Sequence, residues 1–349
     1  MARKDNKIEV QHYVPKMLLK NFSFKKKSKH PRVHVYDKHE GQTFSPNIGN
    51  IVAEKGFYDI KLGNLYTSFE PNLADLETKA HAVIEKLLAE KNLKILDNSD
   101  KSWLSIFIAC QLLRTKAFRE MIGGGQSQLR EKLTRQHGDK AKEIDGLDFF
   151  EDETDLQNFT TIFMMKNLGE FAGLVGRKVW FLHETTGDTT FILGDSPVVM
   201  HNENKFDVYG NLGVAVPGIQ IYMPLSPTLV FGIWCPSIVQ EFSDNLEKAK
   251  KMMSEALALR ATAKTSNYPE IDFFLKTLET SMTNISNTLS ALELKTPLPA
   301  SPDNVTFINS LQVKWANRYV LSVNADFSLV ERMLKDSSNY KTGIKFKLN

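Results

Sequence analysis

The chain has 349 residues, of which 42% are hydrophobic and 24% are charged, so it is long enough to bury a large core. Its net charge of +3 is too small to indicate nucleic-acid binding by itself. The two cysteines cannot build a disulfide framework, and the cysteines and histidines lack the spacing of zinc ligands. With no apolar leader and no apolar run of about 18 residues, we expect a cytoplasmic protein with no membrane partner.

The first predicted element is a short helix over residues 16–22, which follows residues 11–15 (QHYVP). Pro15 suits a helix start, where its missing N–H would be unpaired in any case. His12 therefore lies near the positive end of the helix dipole, which favours the neutral imidazole. Two interpretations remain open: His12 only packs at the helix start, or it acts as a base, a metal ligand or a hydrogen-bond donor.

Hydrophobic periodicity predicts the other elements. Strands are expected at residues 32–37, as a hairpin over 178–193, and at 218–223 and 228–234, and residues 51–59 are expected to form a turn and a short strand. Helices are expected at residues 69–93, from 98 to a stop at the glycines 123–125, and at 156–174, 246–261, 268–292, 302–319 and 327–335.

The strands cluster and do not alternate regularly with the helices. This arrangement predicts an α+β fold that is mostly helical, with an antiparallel or mixed central sheet flanked by many helices. Since no linker of domain-separating length occurs, we expect one domain over residues 1–349. The polar stretch at residues 126–155 is expected to be a helical or flexible insertion within it.

The predicted helix that begins near Asn98 is apolar on nearly all its faces, which indicates a central position. Within it, Gln111 and Arg114 are three residues apart and share one face. A buried arginine must be paired, because an uncompensated buried charge costs several kcal/mol. Its partner is either a structural carboxylate or the anionic group of a ligand.

Asp195 stands where a predicted strand ends in a Gly-Asp-Ser-Pro turn. Catalytic carboxylates are commonly presented at strand ends, but aspartate and serine also stabilise turns by bonding to the backbone. The acid and lysine that a restriction-type metal nuclease needs on the next strand are missing. Late in the chain, Asn317 is expected to face inward and to be hydrogen-bonded.

Several of these segments together resemble a widespread, mainly bacterial family of unknown function. The resemblance rests on the opening motif QHYVPxxLLxxF, on Gln111-x-x-Arg114-Thr115, on Asp195-Ser196-Pro197-Val198, on the PLSP segment at residues 224–227 and on Asn317, in that order. It implies no activity; it implies a set of dispersed polar positions. One departure is Gly194, where several family members have threonine or serine.

Dispersed polar residues in apolar surroundings predict a single convergent site. In it His12 is the general acid or base, Arg114 holds an anion, and Asp195 orients the histidine or binds a divalent metal. The substrate-binding residues of this hypothesis are Gln11, Gln111 and Asn317. The competing interpretation is a buried structural network in which Arg114 pairs with Asp195 and His12 caps it.

The leading functional hypothesis is a hydrolase or nuclease that acts on a phosphate-bearing substrate; a role in bacterial defence or toxicity would fit by general association. The first alternative is a non-catalytic sensor or binding module for a nucleotide or nucleic acid. The second is a structural subunit of a larger assembly. The sequence identifies no cofactor beyond the divalent metal considered for Asp195, and no oligomeric state.

Overall fold

A computed structural model describes residues 10–138, 150, 152–206, 210–262 and 269–345. Its helices are α1 (Lys16–Asn21), α2 (Glu70–Glu90), α3 (Asn98–Leu113), α4 (Lys116–His137), α5 (Glu153–Gly176), α6 (Pro236–Thr262), α7 (Pro269–Leu294), α8 (Pro302–Trp315) and α9 (Ser328–Asp336). Its strands are β1 (Val10–His12), β2 (His34–Asp37), β3 (Gln42–Phe44), β4 (Ala53–Lys55), β5 (Asp59–Leu62), β6 (Leu65–Ser68), β7 (Val179–Thr185), β8 (Leu193–Gly194), β9 (Val199–His201), β10 (Gln220–Ser226), β11 (Leu229–Trp234), β12 (Leu298–Ala300) and β13 (Tyr319–Ser322).

Two larger sheets and two strand pairs organise these elements. The larger sheets have the orders β12-β7-β11-β10-β9 and β3-β2-β13-β8, and the pairs are β1-β4 and β5-β6. All neighbours are antiparallel except β12, which runs parallel to β7. The prediction of a mainly helical α+β fold with antiparallel or mixed sheets is confirmed.

The five-stranded sheet is covered on both faces. Alternate residues of a strand point to opposite faces, so Leu182 of β7 and Ile233 of β11 pack with the α1–α3 core, whereas Phe181 and Trp234 pack against α8. Both faces are therefore removed from water. This burial explains the nearly continuous apolar sequence of β10 and β11.

Three sequence predictions about elements are wrong. The glycines 123–125 do not end a helix; α3 ends at Leu113, and α4 begins after Thr115, whose hydroxyl accepts the N–H of Phe118. Gly123 lies inside α4 where α5 approaches, so an added Cβ would come within 2.7 Å of the Leu156 side chain. Close packing rather than helix termination accounts for a glycine there.

The second error is the hairpin over residues 178–193. Strand β7 pairs with β11 and β12, and β8 joins the other large sheet by pairing with β13. The third is the helix over residues 302–319, because α8 ends at Trp315 and Asn317 lies in the connection to β13. Of the predicted insertion, residues 126–137 continue α4, and residues 139–149 and 151 lie outside the described residues.

A buried lysine joins three distant parts of the chain. Lys38, which follows β2, is 0% exposed. Its Nζ donates to the carbonyl oxygens of Val313 and Ala316 at the end of α8, and to that of Tyr340 in the C-terminal segment. Among the helices of the described ranges, none has the length and apolar character needed to cross a membrane.

Candidate functional site

The opening motif is buried and bonded within the protein. The Gln11 amide donates to Asp59 Oδ1 at 2.9 Å and to Ser68 Oγ at 3.1 Å, and it accepts the N–H of Tyr58. Gln11 thus joins β1 to the β5-β6 pair. The sequence placed Gln11 among the binding residues; in the structure its amide bonds to these internal partners, and the binding role remains a prediction.

His12 is 8% exposed, and its Nε2 lies 3.2 Å from the carbonyl oxygen of Ile48. Burial lowers the pKa of His12, and the nearby Lys16 ammonium lowers it further. Since a carbonyl can only accept, the neutral ring carries its proton on Nε2. Its Nδ1 is then the atom left to accept a proton.

Arg114 is 2% exposed, and its Nη2 lies 2.7 Å from Glu77 Oε1 on α2. The Nε and Nη1 groups have no hydrogen-bond partner within the described residues. The interpretation in which Arg114 pairs with Asp195 is therefore wrong. Arg114 is the C-cap of α3, and its guanidinium contacts α2 through Glu77.

Asp195 binds backbone. Its carboxylate accepts the N–H groups of Asn317, Arg318 and Tyr319 at 2.6, 2.8 and 2.9 Å, so it fixes the start of β13. Burial raises the pKa of Asp195, although these N–H groups and the Lys38 ammonium act in the opposite direction. The Asn317 amide donates to Glu120 Oε1 at 3.0 Å.

All six predicted site residues are buried, but their polar atoms belong to separate hydrogen-bond sets. Gln11 and His12 bond around β5 and residue 48, Arg114 pairs with α2, and Asp195 and Asn317 bond around the start of β13. The catalytic and binding roles assigned to these residues remain predictions. Gln111 differs from the others because its side chain has no hydrogen-bond partner among the residues that the structure describes.

A cavity of about 370 Å³ lies beside Gln111. Its wall is almost entirely apolar and comes from the end of α3, the start of α4, α5, the segment before β9, residues 213–216, the end of α8 and the C-terminal segment. The lining residues are Gln111, Leu112, Leu113, Thr115, Ala117, Phe118, Met121, Glu170, Phe171, Leu174, Ser196, Val198, Met200, Gly213, Val214, Ala215, Val216, Trp315 and Ile344.

Two polar side chains on this wall have unmet hydrogen-bonding capacity. Gln111 is 0% exposed, and neither its amide nitrogen nor its amide oxygen has a partner within the described residues. Ser196 is 3% exposed, and its hydroxyl is likewise unpartnered there. Buried polar atoms without partners are rare in folded proteins, and here two of the residues that carry them belong to the wall of one cavity.

The model of a family described as "Protein of unknown function (DUF4238)" matches residues 10–326. The chain belongs to the DUF4238 family. This confirms the resemblance to a family of unknown function. No curated protein matches the chain, and no solved structure does. The range matched by the DUF4238 model contains all the cavity-lining residues except Ile344.

In this DUF4238 member, Gln312 of α8 holds the turn that carries Ser196. Its amide accepts the N–H of Gly194 at 2.8 Å and donates to the carbonyl oxygen of Pro197 at 3.2 Å. A Cβ on Gly194 would come within 2.9 Å of the Gln312 carbonyl oxygen. The close approach of α8 therefore favours glycine at position 194.

Sequence reasoning missed Ser196, Trp315 and Gln312 as parts of this site. Ser196 stands next to Asp195 in a motif that had already been singled out, so the signal was present. Trp315 Nε1 donates to the Met200 carbonyl oxygen at 2.9 Å, which fixes the indole against the cavity. In the described ranges, no group of three or more His, Cys, Asp or Glu side chains could hold a metal ion.

Proposed function

We propose that the protein is a binding module that takes up a small, uncharged and largely apolar molecule, and that Gln111 and Ser196 recognise one polar group on it. The observation that carries this proposal is that two residues of an apolar cavity wall have buried polar side-chain atoms with no partner within the described residues. Small-molecule sites in proteins have this composition, with a few polar groups that fix the orientation of the ligand. The volume of about 370 Å³ falls at the lower end of such sites.

The chemistry of the two side chains defines the polar group. The Gln111 amide offers one acceptor and two donors, and the Ser196 hydroxyl both donates and accepts. A carboxamide, a lactam or a similar group that donates and accepts would satisfy both. A ligand that lacks such a group would leave them unpaired, at a cost of about 1–3 kcal/mol.

The hydrolase or nuclease expected from the sequence is the competing proposal. Such an enzyme needs a proton-transfer group and cationic groups for the phosphate at one cleft. Among the described residues, Glu170 is the one ionisable side chain on the cavity wall, and it is exposed. This composition favours binding over catalysis, and an uncharged ligand over a nucleotide.

A pair of probes of matched shape tests the proposal by calorimetric titration. We expect naphthalene-2-carboxamide to bind about tenfold tighter than 2-isopropylnaphthalene, since only the amide can bond to Gln111 and Ser196. In Gln111→Met this preference should disappear while both probes still bind. Gln42→Met on exposed β3 is the control and should keep the preference.

Equal binding of the two probes, or no binding of either, would overturn the proposal. A preference that survives Gln111→Met would place recognition elsewhere. The enzyme proposal has its own readout, hydrolysis of bis(p-nitrophenyl) phosphate. If turnover is found and is lost in His12→Gln, the catalytic hypothesis is supported instead.

A further inference from the structure

A second cavity, with a volume of about 530 Å³, lies on the α8 face of the five-stranded sheet. Its floor is formed by His183 of β7, Tyr222 of β10, Trp234 of β11 and Leu298 of β12. Residues of α6, α7 and α8 form its other walls. Among the described residues none lines both this cavity and the one beside Gln111, so the two are separate.

Four aromatic side chains border this second cavity. The Trp234 and Phe242 rings are 5.6 Å apart and tilted by 53°, and the Tyr222 and Phe307 rings are 6.3 Å apart and nearly perpendicular. The Tyr222 hydroxyl bonds to Gln220 Oε1 at 2.6 Å and accepts the Trp234 indole N–H at 3.2 Å. Because these polar ends have internal partners, the two rings of the floor offer a ligand mainly their apolar surface.

His183 adds a hydrogen-bond acceptor to the floor. Its Nδ1 lies 3.3 Å from the Leu298 carbonyl oxygen, which can only accept, so the neutral ring carries its proton on Nδ1. Burial lowers the pKa of His183 to about 4, which keeps the ring neutral near pH 7. The side chain is 7% exposed, and its Nε2 has no partner within the described residues, so this nitrogen is left to accept a hydrogen bond.

Three asparagines, Asn284 and Asn287 of α7 and Asn304 of α8, add amides to the wall. They are exposed, and the side-chain contacts of Asn284 and Asn304 with Thr288 and Ser301 use the asparagine backbone. The three side-chain amides therefore keep their two donors and one acceptor each for other partners, as far as the described residues go. Among those residues, none that lines this cavity is charged near pH 7.

We propose that this second cavity binds an uncharged sugar, as a mono- or disaccharide. A sugar has hydroxyl groups that both donate and accept, which the asparagine amides and His183 Nε2 match. Its C–H groups form apolar faces that pack on aromatic rings. The volume is within the range of small-molecule sites.

The same wall disfavours two other classes of ligand. A nucleotide or another charged molecule would lose water without gaining a counterion. A flat nucleobase stacks best on parallel rings, whereas the measured ring pairs here are tilted or perpendicular. The proposal does not rest on ligand binding beside Gln111.

The experiment observes the indole N–H signals of the intact protein labelled with isotopic tryptophan, of which the chain has four. Trp234 borders this cavity and Trp315 borders the one beside Gln111, so their signals report the two cavities separately. The variants Trp234→Phe and Trp315→Phe assign them. The probes are the methyl glycosides of glucose, galactose and mannose, together with N-acetylglucosamine, maltose and cellobiose.

Each probe is added to about 10 mM, because a small sugar held by a few hydrogen bonds binds with a dissociation constant of roughly 1 mM. At least one should shift the Trp234 signal in a saturable way and leave the Trp315 signal in place. Asn287→Ala and Phe307→Ala should each weaken its binding about fivefold, the effect of one lost contact. The control is Asn245→Ala, which removes an exposed asparagine of α6 outside this wall and should leave the affinity unchanged.

If none of the sugars shifts the Trp234 signal, or if a sugar shifts only that of Trp315, the proposal is overturned. It is also overturned if adenosine shifts the Trp234 signal and the sugars do not, since the cavity would then select a flat base. Unchanged affinity in both Asn287→Ala and Phe307→Ala would place the sugar elsewhere. The naphthalene probes of the first cavity are read separately, so either proposal can fail without the other.

Discussion

Gln111→Met should make the protein more stable, although the substitution removes a residue from the proposed site. Methionine has nearly the shape of glutamine but no amide to desolvate. The buried Gln111 amide has no partner in the described part of the chain, and burying such a group costs about 1–3 kcal/mol in mutational data. For 349 residues the entropy of unfolding is roughly 0.7 kcal/mol/K, so Tm should rise by about 1.5–4 °C.

Gln312→Met is the matched control, because Gln312 is also 0% exposed but its amide is bonded to Gly194 and Pro197. Removing that amide leaves a backbone N–H and a carbonyl unpaired, which should lower the free energy of unfolding by about 2–4 kcal/mol. Scanning calorimetry and urea unfolding of both variants give the comparison. If Gln111→Met lost stability as Gln312→Met does, Gln111 would be a bonded structural residue and the argument for a ligand would fail.

Three further predictions concern buried charges. Glu77→Gln leaves Arg114 without its carboxylate and should reduce the free energy of unfolding, measured by urea denaturation, by about 1–3 kcal/mol. The control, Glu131→Gln in an exposed ion pair, should reduce it by ~0.5 kcal/mol or less. Asp195→Asn turns an amide NH₂ toward backbone N–H donors and should cost about 2–4 kcal/mol; an unchanged Tm would show that Asp195 is not needed for the fold. Burial lowers the pKa of His183 to about 4, so between pH 6.5 and pH 4 the unfolded chain binds more protons than the folded one. As the pH falls through this range, the free energy of unfolding should decrease by up to about 3 kcal/mol. Urea unfolding at a series of pH values should show this slope, and His183→Gln should flatten it.

Element types were predictable where local pattern and burial agree. The apolar segments at residues 218–223 and 228–234 read as strands, and they pair as β10 and β11 because both faces of their sheet are covered. The predicted break at the glycines 123–125 failed for a physical reason. Helix propensity is a weak preference, and the packing of α4 on α5 overrides it.

The candidate site was less predictable. The role of each of its residues depends on its hydrogen-bond partners, which are distant in the sequence or are backbone groups that leave no trace in it. Asp195 bonds to backbone N–H groups, which every residue has, so nothing in the sequence distinguishes this anchor from a catalytic carboxylate. Arg114 finds its carboxylate at Glu77, on a different helix. Whether Gln111 has a partner can be judged only from its spatial neighbours, and among the described residues none bonds to its amide.

The buried ammonium of Lys38 makes a contact beyond the residues that the family model matches. Similarity to DUF4238 stops at residue 326, yet Tyr340 supplies one of the three carbonyl acceptors of Lys38, and Ile344 forms part of the cavity wall. A protein shortened to residue 326 would leave a buried cation with two acceptors and would open the cavity at one side. Contacts of the structure therefore continue past the boundary of family similarity, and we expect recombinant versions of this protein to need residues through 345.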